Sequence, residues 1–249
     1  FDVDNTIVRG ASIYHLARGL YRRRFFTLRE ITGFAWHQAR FLTHGERLGH
    51  LADIQARALA FVAGHSVAEL TAIGEEVYEE LLADRIWPGT QELAWTHLVA
   101  GQRVWLVTAT PVEVASVIAR RLGLTGALGT VGEQVDGIYT GRLVGEVMHG
   151  AAKARAVREL AAAEGLDLSR CSAYSDSVHD LPLLDLVGHP YAINPDGRLK
   201  SHAKAHAWPV QDFRTRRKAV KIGVPTAAVA GATLRAVLKG MARHRRRPG

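Results

Sequence analysis

The run Val104-Trp105-Leu106-Val107 constrains the fold more than any other stretch of the chain. Four apolar side chains in a row would point alternately to two faces of a strand, so both faces must be covered. Helix-like spacing follows from Val112 to Leu122 and again from Ala151 to Glu164. Short apolar runs at Cys171–Tyr174, Tyr191–Ile193 and Ala205–Val210 read as further strands. Strand and helix in alternation predict a parallel α/β sheet with helices on both faces, a Rossmann-like three-layer sandwich. Ile138-Tyr139-Thr140 after Asp136-Gly137, within Gly132–Gly145, predicts a small hairpin beside that core.

A very different texture separates the first few residues from this pattern. From Ile13 to Leu82 only helical periodicity is present, as in Ile13, Leu16, Ala17, Leu20 and Tyr21, or Leu59 to Val62 with Leu70. Pro88-Gly89 ends it. The expected organisation is a core of residues 1–8 and 88–212, an all-helical cap inserted at 9–87, and a tail at 213–249.

The chain opens FDVDNT, and its first strand looks cut short, which suggests native residues upstream of Phe1. Asn5 and Thr6 suit a turn, but Asp2 stands between Phe1 and Val3 where a strand would carry an apolar side chain. Ligands of open parallel sheets bind beyond the carboxyl ends of the strands. That edge would collect Asp2 and Asp4 from the first strand, Thr108 from VWLVTATP, and Asp176 and Asp180 from AYSDSVHD. Lys153, at the start of the Ala151 helix, would join them. Each residue alone has an ordinary explanation as turn, cap or solvated surface. Together they crowd carboxylates that only a hard cation such as Mg²⁺ would reconcile, with Thr108 and Lys153 available to phosphate oxygens.

The order DVDNT, LVTATP, Lys153, YSDSVHD resembles the four motifs of the haloacid dehalogenase superfamily. The insert after the first motif and Asn194-Pro195-Asp196 resemble its phosphoserine phosphatase-like branch, subfamily IB. The resemblance covers residues 1 to about 212 and implies a phosphomonoesterase. It implies Asp2 as nucleophile, forming an aspartyl-phosphate, and Asp4 as general acid and base. Asp2, the carbonyl of Asp4, and Asp176 would hold Mg²⁺. Thr108, Lys153 and Asn5 would bind the phosphoryl group, with Asp180 orienting Lys153 or a water on the metal. Dehalogenases of the superfamily lack an acid at the place of Asp4, because halide leaves without a proton.

The resemblance also carries a discrepancy. Phosphoserine phosphatases hold the substrate's amino group with a glutamate five residues after the motif threonine, and that place here is Ala11. The lost contact is worth ~1.5–3 kcal/mol. His179 stands where asparagine is usual, and touches either substrate or solvent. The expected substrate is a small or lipid-linked phosphate ester selected under the cap, with phosphoserine a disfavoured alternative and a non-catalytic phosphate-binding membrane adaptor the rival reading. Arg22, Arg23 and Arg24 on the cap could attract an anion or could simply be solvated. His37, His44, His50, His65 and His97 have no metal-ligand spacing.

Charge is divided along the chain. After Asp212 there are eleven lysines and arginines and no acid, so of the net +8 the tail holds +11 and the body is left at −3. Ile222–Leu234 is apolar and flanked by basic clusters, but thirteen residues interrupted by Pro225 are too short to span a bilayer. An interfacial helix on an anionic leaflet, docking on the body or disorder are the open readings. The absence of interleaved aromatics disfavours nucleic acid. The single cysteine, Cys171, excludes an internal disulfide. A cytoplasmic protein is the expectation, with peripheral membrane contact through the tail one of its open readings.

Overall fold

The computed structural model describes residues 1–23 and 62–214. Arg24, Leu59–Phe61, His37, His44, His50 and the tail segment Ile222–Leu234 with its basic flanks lie outside the described residues. Residues 1–211 form one compact unit, and a second begins at Asp212.

The strands are β1 (Trp105–Pro111), β2 (Gly126–Thr130), β3 (Gly132–Val135), β4 (Ile138–Leu143), β5 (Ser172–Ser175), β6 (His189–Ile193) and β7 (Val210–Gln211). β1 pairs in parallel with β2, and β5, β6 and β7 pair in parallel in that order. Phe1 and Asp2 join these two groups. The Phe1 backbone donates to the Trp105 carbonyl and accepts from Val107 N–H, both at 2.8 Å, while Asp2 N–H donates to the Tyr174 carbonyl at 2.9 Å. The pattern with Trp105 and Val107 is that of a parallel ladder. Asp2 thus lies between β1 and β5, in the middle of the parallel layer.

The apolar run of β1 is covered on both faces, as its composition requires. Leu106 belongs to a cluster with Val3, Ile7, Leu16, Leu70, Val77, Val114 and Ile118. Val107 belongs to another with Ala173, Leu184, Ala192, Leu199 and Ala203. The first cluster is built by α1 (Ser12–Arg22), α2 (Val67–Val77) and α4 (Val112–Arg121). The second is built by α6 (Leu181–Leu184) and α7 (Gly197–Ala205). α3 (Pro88–Val99) begins with proline in its first turn, where no backbone N–H is needed, and α5 (Ala151–Ala163) follows the hairpin. α1 and α2 cross closely at Gly19, where any Cβ would strike the Val77 side chain.

The insert leaves and re-enters the core along one stem. Val8 bridges Ile86 in antiparallel sense, Arg9 N–H donates to the Arg85 carbonyl, and Trp87 N–H donates to the Ile7 carbonyl. Whatever residues 9–85 do is therefore attached directly to the loop that follows Asp4. Inside the insert, α2 runs into one π-helical turn, Tyr78–Leu82.

One expectation about strands needs correction, and one strand is unexpected. Ala205–Val210 is not a strand: α7 continues to Ala205, Ala207 turns with φ of 55°, and pairing starts only at Val210. The small residues there fit a helix as well as a strand, and the Asp196 side chain, capping α7 at Leu199 N–H, favours the helix. The unexpected strand is β2, whose sequence GALGT has only Ala127 and Leu128 as apolar side chains between two glycines. A Cβ on Gly126 would fall within 3 Å of the Trp105 ring, so the partner strand's indole takes the space a side chain would use. The hairpin is as expected, with β3 and β4 antiparallel around Asp136-Gly137, both at positive φ.

Candidate active site

Asp2, Lys153 and Asp180 meet in the interior. The Lys153 ammonium donates to Asp2 Oδ1 at 2.6 Å and to Asp180 Oδ2 at 2.8 Å. The side chains of all three are almost inaccessible to solvent. Ser175, at the end of β5, donates its hydroxyl to the same Asp180 oxygen at 2.7 Å. One Asp180 oxygen thus accepts from both Lys153 and Ser175. Burial pushes the Asp2 carboxyl up to about 6, against the pull of the Lys153 charge. Lys153 stays firmly protonated: burial works against its charge, but the two carboxylates outweigh it.

Asp4, one residue beyond Val3, is held from α1. Ser12 donates to Asp4 Oδ1 twice, through its backbone N–H at 2.7 Å and its hydroxyl at 2.5 Å. Burial raises the Asp4 carboxyl, and these donors offset part of the rise. Thr108 is buried where the regular β1–β2 register breaks, between Val107 and Pro111. Its hydroxyl donates to Thr110 Oγ1 at 3.2 Å and accepts from Thr110 N–H at 3.2 Å.

Asp176 follows β5 and lies beside Asn5, whose side chain bonds to it. Burial and the nearby Asp2 charge push the Asp176 carboxyl up to about 8, more than the Asn5 contact can offset. Asn5 takes a left-handed turn, its side chain accepting from Gly10 N–H at 3.1 Å. Asn194 reaches across to donate its amide to the Asn5 carbonyl at 2.8 Å. Asp196 closes the frame, donating its N–H to the Asp176 carbonyl and accepting Val178 N–H on its side chain. The Asn-Pro-Asp segment therefore braces the loops that carry Asn5 and Asp176.

The residues singled out from sequence thus occupy one region, while Ser12, Thr110, Ser175, Asn194 and Asp196 hold them there. Only Asn194 and Asp196 had a sequence signal. Ala11 is exposed at the N-cap of α1 and offers no side-chain cap. His179 is exposed, with its ring 5.3 Å from that of His149. His65 contacts Glu69, and His97 contacts the Tyr174 hydroxyl at 2.6 Å. Arg23 spends its charge on Glu76 and Glu80. No described helix is long and apolar enough to cross a membrane.

Among the described residues, no three His, Cys, Asp or Glu side chains gather into a cage for an ion. The donor set nevertheless suits a hard cation: burial first, and neighbouring carboxylates after it, disfavour the charged forms of Asp2 and Asp176, and a cation taking oxygen ligands would relieve this. Two carboxylates and a backbone carbonyl suffice where water and phosphate oxygens complete the shell.

Residues 1–185 match the family model for haloacid dehalogenase-like hydrolases. A protein of Mycobacterium tuberculosis (strain ATCC 25618 / H37Rv) named phosphoserine phosphatase SerB1 is 59% identical over 93% of this chain and 76% of its own length. A histidinol-phosphatase of Neisseria meningitidis serogroup C (strain 8013) is 33% identical over 63% of this chain and 72% of its own. The crystal structure of a protein of unknown function from Bordetella pertussis Tohama I superposes with a TM-score of 0.75 at 33% identity, covering 86% of this chain and 96% of that one. With its parallel core, its inserted helices and its buried Asp2–Lys153 pair, the chain belongs to the haloacid dehalogenase-like hydrolases, in their phosphoserine phosphatase-like branch, and is a phosphatase.

Proposed function

We propose that the chain is a Mg²⁺-dependent phosphomonoesterase that works through a phospho-Asp2 intermediate. The observation that carries this reading is the Lys153 ammonium, fixed between Asp2 and Asp180. It places one permanent positive charge against the carboxylate that would attack, where negative charge from a phosphoryl group would otherwise be repelled.

Asp2 Oδ attacks phosphorus as the bond from phosphorus to the ester oxygen breaks, and that oxygen takes a proton from Asp4 to leave as an alcohol. Asp4, now a carboxylate, takes a proton from water. The water oxygen attacks phosphorus, the Asp2–phosphorus bond breaks, and inorganic phosphate departs. Thr108 and Lys153 hold the phosphoryl oxygens, and Asn5 holds the loop beside Asp176. Asp2, the Asp4 carbonyl and Asp176 are the groups that would hold Mg²⁺, which when bound supplies charge neutralisation for the transferring group. The insert at 9–87 acts as a cap on the stem at Val8 and Ile86.

The substrate is a small or lipid-linked phosphomonoester. The name of the M. tuberculosis relative favours phosphoserine, and the Neisseria relative is named for another ester altogether. Ala11 lacks the charge that an amino group would need. Phosphate release from a panel of phosphomonoesters and p-nitrophenyl phosphate, with Mg²⁺ or EDTA, tests the reading. Expected is turnover that requires the metal and is abolished by Asp2→Asn, with phosphoserine a poor substrate. No release by folded protein supplied with Mg²⁺ would instead indicate a phosphate-binding adaptor.

A further inference from the structure

One contact in the site has no place in the chemistry above. Ser12 Oγ lies 2.6 Å from Thr110 Oγ1, across 98 positions of sequence, with both side chains buried. Thr110 is in turn 3.2 Å from Thr108 Oγ1. The three hydroxyls form a chain from the general acid Asp4 to the phosphate-binding Thr108.

The direction of the protons along this chain follows from counting donors. A hydroxyl donates once and accepts up to twice. Ser12 gives its proton to Asp4 Oδ1, the shortest contact of the series, so it must accept from Thr110. Thr110 has then given its proton to Ser12, and so accepts from Thr108. Every proton points toward Asp4. Ser12 N–H also donates to Asp4 Oδ1, so both Ser12 donors meet this one oxygen. A proton taken up by Asp4 is therefore favoured on Oδ2, the oxygen that neither Ser12 donor meets.

We propose that Thr110, acting through Ser12, is a positioning residue that keeps the transferable proton of Asp4 on Oδ2, the oxygen that serves the leaving group. The inference rests on the role given to Asp4 above. Without the Thr110 hydroxyl, Ser12 Oγ loses the partner that fixes its rotamer, and its hold on Asp4 Oδ1 loosens. With that hold loosened, the proton of Asp4 can occupy either oxygen. Binding of a phosphoryl group to Thr108 leaves the device intact, because Thr108 can redirect its proton while Thr110 still donates to Ser12.

The test exploits leaving groups that differ in their need for a proton. Single-turnover rates are measured for an alkyl phosphate, whose alkoxide must be protonated, and for p-nitrophenyl phosphate, whose phenolate leaves unaided. Thr110→Val should lower the alkyl-to-aryl rate ratio about tenfold, a fraction of the range typical of general acids. Thr110→Ser should restore the ratio, and Ser12→Ala should lower it as Thr110→Val does. Thr110→Ala serves if the valine variant does not fold. A wild-type ratio in folded Thr110→Val or Thr110→Ala, or equal loss with both substrates, overturns the proposal. Asp4→Asn separates the two levels: if it too leaves the ratio unchanged, the general-acid role of Asp4 is wrong, whereas a changed ratio there with none at Thr110 removes only the positioning role.

Discussion

A lysine buried between two carboxylates is an expensive arrangement unless all three charges remain together. Each of Asp2, Lys153 and Asp180 has lost its water, and removal of one partner of a buried pair typically costs 3–5 kcal/mol because the rest stay behind uncompensated. Lys153→Met in metal-free buffer should therefore lower unfolding free energy by about 3 kcal/mol in urea titrations, besides abolishing turnover. Adding Asp180→Asn to that variant should recover part of the stability, since one of the stranded charges is gone while the Ser175 contact can persist. Simple additivity of the two substitutions would mean that the triad is not coupled. At this scale the sequence was readable where a residue type was out of place. Asp2 interrupts apolar neighbours and betrays itself. Lys153 is an ordinary helix lysine until the order of the other motifs points to it. Ser12, Thr110 and Ser175 could not have been found, because a hydroxyl acquires its role from partners such as Asp4 and Thr108 that the chain brings near only on folding.

Elements position these side chains through their ends. Asp196 caps α7, holds Val178 N–H, and donates its own N–H to the Asp176 carbonyl, so one residue ties a helix start to the loop behind β5. Asp196→Ala removes both side-chain contacts. The cap alone is worth ~0.5–2 kcal/mol, which for a chain of this size corresponds to about 2–6 °C in melting temperature. Because the second contact orders the loop after Asp176, kcat should fall by more than KM rises, an outcome that steady-state kinetics beside a thermal melt can check. An unchanged kcat would confine Asp196 to capping. The long helices were legible from apolar spacing repeated over several turns, and β1 from its unbroken apolar run. β2 and the start of β7 were not, for reasons in their neighbours: the Trp105 indole fills the space above Gly126, and the helix capped by Asp196 runs to Ala205, with a turn at Ala207 taking residues that alternate like a strand.

Across the whole molecule, the stability of the native state depends on how its buried acids are neutralised. Asp176 is pushed to about 8 by burial and by Asp2, so in the absence of a cation the folded chain carries a carboxyl group that resists ionising. A cation that binds the folded chain and not the unfolded one adds RT ln(1 + [L]/Kd), ~2.7 kcal/mol at a hundredfold excess over Kd. Mg²⁺ should accordingly raise the melting temperature by about 5–10 °C over the same protein in EDTA. Asp176→Asn should act in two opposite ways. It removes one of the crowded acids, so the metal-free variant should melt at or above the metal-free wild type. It also removes a ligand, so the increment on adding Mg²⁺ should largely disappear. Melting curves of both proteins, each with Mg²⁺ and with EDTA, read the two effects separately and without any turnover. Equal Mg²⁺ increments in wild type and Asp176→Asn would remove Asp176 from the cation site. A metal-free variant less stable than metal-free wild type would mean that the Asn5–Asp176 contact outweighs the repulsion from Asp2, and that the carboxylates are arranged for one another even without a cation.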